Sequence, residues 1–145
     1  MSFYNNERYL DPTAGQAVCN IRREEVKLRK MENGEWQMSW IYIASPYKGD
    51  IDTNIMRAKR YCRFVASRGK VPQCPHIFLT TFLDDDNKDE REAGLYLGIQ
   101  MLKRCNELWV FGSHISEGMK KEIEFAIKRN IPIKYYNDRC EEIIT

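Results

Sequence analysis

The sequence lacks a strong excess of either charge, and it lacks any apolar run long enough to span a membrane. Among its 145 residues, 23 are Lys or Arg and 21 are Asp or Glu, so the net charge is only +2. Such a balance gives no electrostatic reason to expect a nucleic acid polymer or a membrane as a partner. The first residues also carry no apolar core of the kind that a signal peptide needs. We therefore expect a cytoplasmic protein.

The cysteines form no paired motif. There are 5 of them, an odd number, and they are widely spaced without a C-x-x-C pair. This usage fits reduced thiols and predicts neither a disulfide framework nor a zinc site. The run Cys74-Pro75-His76 places a thiol close to an imidazole, but no further ligand residues cluster near it. We expect no metal and no cofactor.

Short apolar segments alternate with helical patterns along the chain. Strand character is found at residues 40–44, 70–74, 107–111 and 131–136. Apolar residues recur at helical spacing over residues 52–67, over 89–104 and after Ser116. Strands separated by helices of this length predict right-handed βαβ units. The predicted fold class is α/β, with a Rossmann-like or flavodoxin-like parallel sheet of four to five strands and helices on both faces.

Residues 1–38 differ from the rest of the chain. Asp11-Pro12-Thr13 indicates a helix start, and the apolar residues that follow form a stripe too small to make a domain core. We therefore predict an N-terminal helical arm over residues 1–38 and an α/β domain over 39–145. The arm needs a surface to cover, either on the main body or on a neighbouring subunit, so we expect a homo-oligomer.

The predicted sheet also indicates where a ligand binds. In open parallel sheets, ligands bind in a crevice at the carboxyl ends of the strands. This rule brings three segments together: Ser45-Pro46-Tyr47, the region of His76, and Gly112 to Gly118. We expect these segments to surround one crevice.

One helix carries a carboxylate on its apolar side. With residues spaced at about 100° around the helix axis, Glu122 falls inside the apolar arc and the other charged residues fall opposite. The apolar arc is formed by Met119, Ile123, Phe125, Ala126 and Ile127. A carboxylate among apolar neighbours costs free energy unless it is paired or used, so Glu122 is the first candidate for chemistry. The alternative is an ordinary rim position with a salt bridge to Arg129 or Lys121.

Gly118 and Ser116, which precede Glu122 in the sequence, support a ligand site near the carboxylate. Gly118 lies one turn earlier on the same face and has no side chain to block a ligand that approaches the carboxylate. Ser116 is a good N-cap residue, so the preceding loop and the first free N–H groups of the helix can form a pocket for an anion.

The other candidates each have a structural alternative. Tyr47 follows Ser-Pro and is equally well explained as a turn residue packed on the sheet. His76 is better explained as a partly buried loop histidine than as a general acid. Residues 84–86, which are all aspartates, are most simply a solvated loop.

Two segments resemble the nucleoside 2-deoxyribosyltransferase family. They are Ile41-Tyr-Ile-Ala-Ser-Pro-Tyr47 and Ser116-x-Gly118-x-x-x-Glu122-Ile-x-x-Ala126. The resemblance spans roughly residues 40–136 and is closest to small bacterial and mobile-element relatives. The family has a first strand that ends in an A-[SG]-P-[FY] loop, and a later Gly-x-x-x-Glu-[IL]-Gly-x-Ala helix whose glutamate is the nucleophile.

The resemblance assigns roles to individual residues. Glu122 falls on the nucleophile, and Ser45 and Tyr47 fall on the loop that faces the sugar and the base. Ser116 falls where the transferases usually carry an aspartate, while the related nucleotide N-glycosidases carry a serine beside the phosphate. Glu124 stands where the family prefers glycine, and Asn106 replaces a common aspartate. Both are departures from the family pattern.

The resemblance implies a glutamate-dependent reaction at an N-glycosidic bond. The expected activity is cleavage of a nucleoside or nucleoside 5′-monophosphate, or transfer of its deoxyribosyl group. Glu122 must be ionised to act, and the Tyr47 hydroxyl and the helix N-terminus could favour that state. The other expected substrate contacts are Ser45, Pro46, His76, Asp86, Gly112, Ser116 and Gly118. The alternatives are a non-catalytic nucleotide sensor or sponge of the same fold and a nicotinamide-dinucleotide glycohydrolase.

Overall fold

The structure is a computed structural model that describes residues 20–23 and 38–144. The strands are β1 (Trp40–Ala44), β2 (Val71–Gln73), β3 (Glu107–Phe111), β4 (Ile133–Tyr136) and β5 (Glu142–Ile143). The helices are α1 (Ile51–Ser67), α2 (Pro75–Leu79), α3 (Lys88–Lys103) and α4 (Glu117–Lys128). Residues 20–23 are helical, and the rest of the helix predicted for the N-terminal arm lies outside the described residues.

The strands form one sheet in the order β2-β1-β3-β4-β5. The first four strands in this order run parallel, and β5 pairs antiparallel with β4. This arrangement confirms the predicted α/β fold with its parallel sheet. Strand β5 was not predicted, because its two exposed residues are too few to show a pattern of alternation.

Helices cover both faces of the sheet, as β1 illustrates. Ile41 and Ile43 are fully buried on the face covered by α1. Tyr42 and Ala44 point to the other face and are buried against residues of α3 and α4. Full burial of an aliphatic side chain contributes roughly 1.5–3 kcal/mol, so β1 anchors the core on both sides.

Two apolar residues that belong to the helical patterns of residues 52–67 and of the helix after Ser116 are exposed. Met56 of α1 is 71% exposed, and Ile127 of α4 is 63% exposed. In α1 the buried stripe runs from Asn54 through Ala58, and Met56 lies about 200° around the axis from Asn54. Ile127 lies at the edge of the α4 apolar arc, beyond the reach of the sheet. The short helix α2 was also not predicted, because five residues are too few to show helical spacing.

No helix in the described part of the chain is long and apolar enough to cross a membrane.

Candidate active site

The crevice lies where the chain leaves β1 and β3 in opposite directions. These two strands are neighbours, but the helix after β1 packs on one face of the sheet and the helix after β3 packs on the other. Their loops therefore diverge at the carboxyl edge of the sheet and leave space between them. This is the topological switch point at which open α/β sheets bind ligands.

Glu122 lies inside the protein. Helix α4 begins at Glu117, and the Ser116 hydroxyl caps it by accepting a hydrogen bond of 3.3 Å from the backbone N–H of Met119. From this start, Glu122 turns towards the sheet together with Met119 and Ala126. Its side chain is only 4% exposed. The structure thus confirms the buried position that the helical spacing predicted.

The Glu122 carboxyl group has one polar neighbour and one unused oxygen. The Tyr42 hydroxyl donates a hydrogen bond to the carboxylate. The second oxygen, Oε2, is buried and has no hydrogen-bond partner among residues 20–23 and 38–144. The rim salt bridge is not formed: the Arg129 guanidinium instead lies over the Phe125 ring at 5.5 Å. The described ion pairs do not include Glu122.

Burial controls the acidity of Glu122. Removal from water raises the pKa of its carboxyl group to about 8, and the hydrogen bond from Tyr42 only partly opposes that rise. At pH 7 the group is therefore mostly protonated without a ligand, which differs from the ionised state expected from the sequence. Burial and the neighbouring Glu122 charge also raise the pKa of Tyr42 well above its usual value, so Tyr42 remains a donor.

Tyr42 is a residue of the candidate site that sequence reasoning missed. It lies in the middle of the apolar run of β1, where it reads as an ordinary core residue. The available signal was its hydroxyl group, since a buried tyrosine O–H usually requires a partner. The sequence predicted that the Tyr47 hydroxyl would interact with Glu122. In the structure the Tyr42 hydroxyl makes this interaction instead.

Two glycines shape the space around this pair. A Cβ atom on Gly98 of α3 would lie 3.0 Å from the Tyr42 hydroxyl oxygen, so the missing side chain makes room for that hydroxyl. A Cβ atom on Gly118 would meet no atom within 4 Å in the described part of the protein. The helix surface one turn before Glu122 is consequently open.

Ser45, Tyr47 and His76 come together at the end of β1. The His76 ring donates a hydrogen bond to the backbone carbonyl of Ser45, and burial lowers the pKa of His76, which keeps the ring neutral at pH 7. Tyr47 stacks on His76 with a ring-centroid distance of 5.8 Å and an interplanar angle of 13°. The Ser45 hydroxyl and the His76 Nε2 atom are both buried and lack partners within the described ranges.

Asp86 lies farther out than the other predicted residues. It is exposed in the loop before α3, where its backbone N–H donates to the Asp84 carboxylate. Burial raises the pKa of Tyr47, and the charges of Asp85 and Asp86 add to the effect. The acidic loop therefore faces Tyr47 but contributes no buried group.

A cavity opens at the same edge of the sheet, on the face covered by α1. It encloses about 50 Å³, and Ser45, Pro46 and Gly112 form part of its lining. Arg57 and Asp138 also line it, although neither was predicted as a site residue. No three His, Cys, Asp or Glu residues of the described ranges are grouped so that they could hold a metal ion.

Comparisons with known proteins agree with this architecture. A family model described as Domain of unknown function (DUF7768) matches residues 39–136. The chain is also similar to the solved structure of a 2-deoxyribosyltransferase from the psychrotolerant bacterium Bacillus psychrosaccharolyticus. The TM-score is 0.58 at 15% sequence identity, and the match covers 74% of this chain and 77% of that chain. At this identity the likeness shows the fold alone. No curated protein matches the sequence.

Proposed function

The chain belongs to the family described as Domain of unknown function (DUF7768), and from the chemistry of its own site we propose that it acts on N-glycosidic bonds. The proposed substrate is a nucleoside or a nucleoside 5′-monophosphate. The proposed reaction is cleavage of the bond between base and sugar, or transfer of the deoxyribosyl group to a second base. Glu122 is the proposed nucleophile.

The buried Glu122 carboxyl group is the observation that carries this proposal. It is 4% exposed, and Oε2 has no partner in the described part of the chain. An unpaired buried carboxyl group is costly, and a module that only binds nucleotides has little use for it. Perturbed acids at a crevice are typical of catalytic sites.

The proposed reaction balances without a cofactor. A Glu122 oxygen forms an ester bond to the anomeric carbon while the bond from that carbon to the base nitrogen breaks. The bonding electron pair leaves with the base, which then takes up a proton. Water or a second base next attacks the anomeric carbon and releases Glu122. Positive charge that develops on the sugar favours the ionised carboxylate and so offsets its raised pKa.

The tyrosines have different proposed roles. Tyr42 holds the carboxylate by its hydrogen bond and thereby fixes which oxygen is free to react. Tyr47, stacked on His76 at the end of β1, contacts the sugar or the base.

The direct test is incubation of the protein with a mixed panel of nucleosides, nucleoside 5′-monophosphates and nicotinamide dinucleotide, with chromatographic detection of released bases. Release of a purine or pyrimidine base supports the proposal. Binding without release identifies a nucleotide sensor or sponge instead. Release of nicotinamide alone identifies a dinucleotide glycohydrolase.

Ser116 is proposed to favour substrates that carry a 5′-phosphate. Its hydroxyl oxygen accepts the Met119 N–H, which leaves the hydroxyl proton for an acceptor beside the open surface at Gly118. The partial positive charge of the helix N-terminus adds to this preference. An aspartate at this position would instead repel a phosphate by a few kcal/mol at an effective dielectric constant of about 20.

We therefore expect a 5′-monophosphate to bind more tightly than its free nucleoside, and Ser116→Asp to reverse the order. Aspartate is also a good N-cap residue, so the helix start is retained. Calorimetric titration of matched ligand pairs measures the effect. Ser116→Thr keeps a hydroxyl group and serves as the control that preserves the phosphate preference. Tighter binding of the free nucleoside by the wild-type protein would refute the phosphate pocket.

We also propose that a second copy of the chain covers the outer side of α2 and α3. Phe78 and Phe82 pack edge to face at 5.4 Å, yet they are 58% and 56% exposed. Tyr96 of α3 is 65% exposed. The same two helices carry His76 and Gly98 of the candidate site on other sides of their axes.

Light scattering at micromolar concentration should accordingly give the mass of a dimer or a larger assembly. Tyr96→Lys should weaken the assembly, because it introduces a charge where an aromatic ring is expected to be buried. Met56→Lys, at an equally exposed position on α1, should leave the mass unchanged. A monomer at this concentration would contradict the expectation.

A further inference from the structure

The cavity on the α1 face is formed by segments that are distant in sequence. Ser45 and Pro46 follow β1, Gly112 follows β3, Arg57 lies on α1, and Asp138 follows β4. The enclosed space is about 50 Å³, well below the roughly 300–1,000 Å³ of pockets that bury a drug-sized ligand. It therefore admits the edge of one ring and not a complete nucleotide.

Gly112 keeps the cavity open. Its φ angle is +95°, a conformation that other residues rarely adopt. A Cβ atom at this position would lie 3.3 Å from the Asp138 carboxylate and 3.9 Å from the Pro46 ring. Any side chain here would therefore occupy the space between those two groups.

The Ser45 hydroxyl is an unused polar group in the wall of this cavity. Ser45 is 1% exposed, and its Oγ atom has no partner in the described part of the chain. A buried hydroxyl group without a partner costs free energy, because it has lost its hydrogen bonds to water. A ligand atom in the cavity that accepts a hydrogen bond would remove this cost.

Arg57 and Asp138 supply the charged groups of the cavity. The guanidinium group can only donate hydrogen bonds, and the ionised carboxylate can only accept them. The loop that carries Asp138 is held by Arg60, which donates to the Asp138 backbone carbonyl at 3.0 Å, and by the Tyr61 hydroxyl at 3.4 Å from the carboxylate. With one charge of each sign, the cavity favours a neutral ligand that presents a donor beside an acceptor, and Asp138 disfavours a phosphate.

We propose that this cavity binds a nucleobase through a lactam edge, in which a ring N–H lies beside a carbonyl group. The N–H donates to Asp138, and the carbonyl oxygen, which has two lone pairs, accepts from both Ser45 and Arg57. Hypoxanthine, guanine, uracil and thymine present such an edge. Adenine and cytosine present a ring nitrogen with a single lone pair, which can satisfy only one of the two donors.

The link to catalysis rests on the proposed function. The cavity lies at the carboxyl edge of the sheet on the face of α1, and Glu122 lies on the opposite face, which α4 covers. A substrate that crosses this edge between Ser45 and Gly112 has its base in the cavity and its sugar towards Glu122.

Matched ligand pairs test the proposal. Uridine and cytidine differ only at the edge in question, as do inosine and adenosine. Binding is measured by calorimetry with the Glu122→Gln protein, so that turnover does not deplete the ligand. We expect uridine and inosine to bind about tenfold more tightly than their partners, the difference that one hydrogen bond contributes.

Three variants identify the residues responsible. Asp138→Asn should bring each pair close to equal affinity, because an amide can donate as well as accept. Ser45→Ala should weaken uridine and inosine several-fold while leaving cytidine and adenosine unchanged. Asp52→Asn, an exposed acid on α1, is the control and should keep the full preference. Circular dichroism melting curves establish that each variant is folded.

Equal affinities within both pairs, or an unchanged preference in Asp138→Asn, would overturn the proposal. The proposal of base recognition and the proposal of a glycosidic reaction can be contradicted independently of each other. Base release by the wild-type protein without a lactam preference leaves the glycosidic reaction standing and removes the base assignment. A lactam preference in a protein that releases no base retains the cavity assignment and removes the proposed reaction.

Discussion

Replacement of Glu122 by glutamine is expected to abolish base release from every substrate that the wild-type protein cleaves. Glutamine has nearly the same shape, so it fills the buried position beside Tyr42. It provides no anionic oxygen to form the ester with the anomeric carbon. We expect kcat/KM to fall by about 10³-fold or more, measured by chromatography of the released base.

Glu124 provides a matched control for this experiment. It lies on the same helix two residues later and is exposed. Glu124→Gln makes the same chemical change in water rather than in the crevice and should retain wild-type turnover. Near-normal turnover by Glu122→Gln would remove the nucleophile assignment.

The same glutamine replacement should make the protein more stable at alkaline pH. The pKa of Glu122 is raised from about 4.5 to about 8 in the folded protein, so the folded state binds the proton more tightly than the unfolded state. The stability that this proton provides is fully present below pH 4.5 and is lost as the pH rises through 8. Neutral glutamine does not undergo this loss.

The difference in the free energy of unfolding should therefore be small at pH 4.5 and should grow to the order of 4 kcal/mol in favour of Glu122→Gln at pH 9. Urea unfolding of both proteins at several pH values measures it. The lowered pKa of His76 affects both proteins equally and cancels in the comparison. Parallel stability curves for the two proteins would show that burial does not control the acidity of Glu122.

Much of the fold could be predicted from the sequence because its main elements have strong local patterns. Strands such as β3 are buried on both faces of a parallel sheet and therefore appear as continuous apolar runs. Ser116 is a recognisable N-cap, and α4 begins directly after it. Glu122 could be recognised because one helix turn places an acid among apolar residues. The elements that were missed, α2 and β5, are too short to have a period.

The residues that surround Glu122 and those that line the cavity could not be predicted in the same way. Tyr42 is recognisable as a donor only when α3 and α4 are packed against β1, since an isolated strand gives no sign of which hydroxyl meets a carboxylate. Arg57 and Asp138 lie in separate segments that meet only when the sheet has formed. Their proximity is a property of the topology, and no spacing along the chain records it.

The alternation of side chains in β1 has a consequence for insertions and deletions. Tyr42 points to the face of Glu122, while Ser45, an odd number of residues later, lines the cavity on the other face. Insertion of one residue into β1 between these positions would turn one of the two side chains to the wrong face, because a strand has a period of two. Hydrogen bonding to β2 on one side and β3 on the other holds the strand against such a slip. The register of β1 therefore keeps Glu122 and the cavity lined by Ser45 on opposite sides of the sheet, separated by the thickness of one strand.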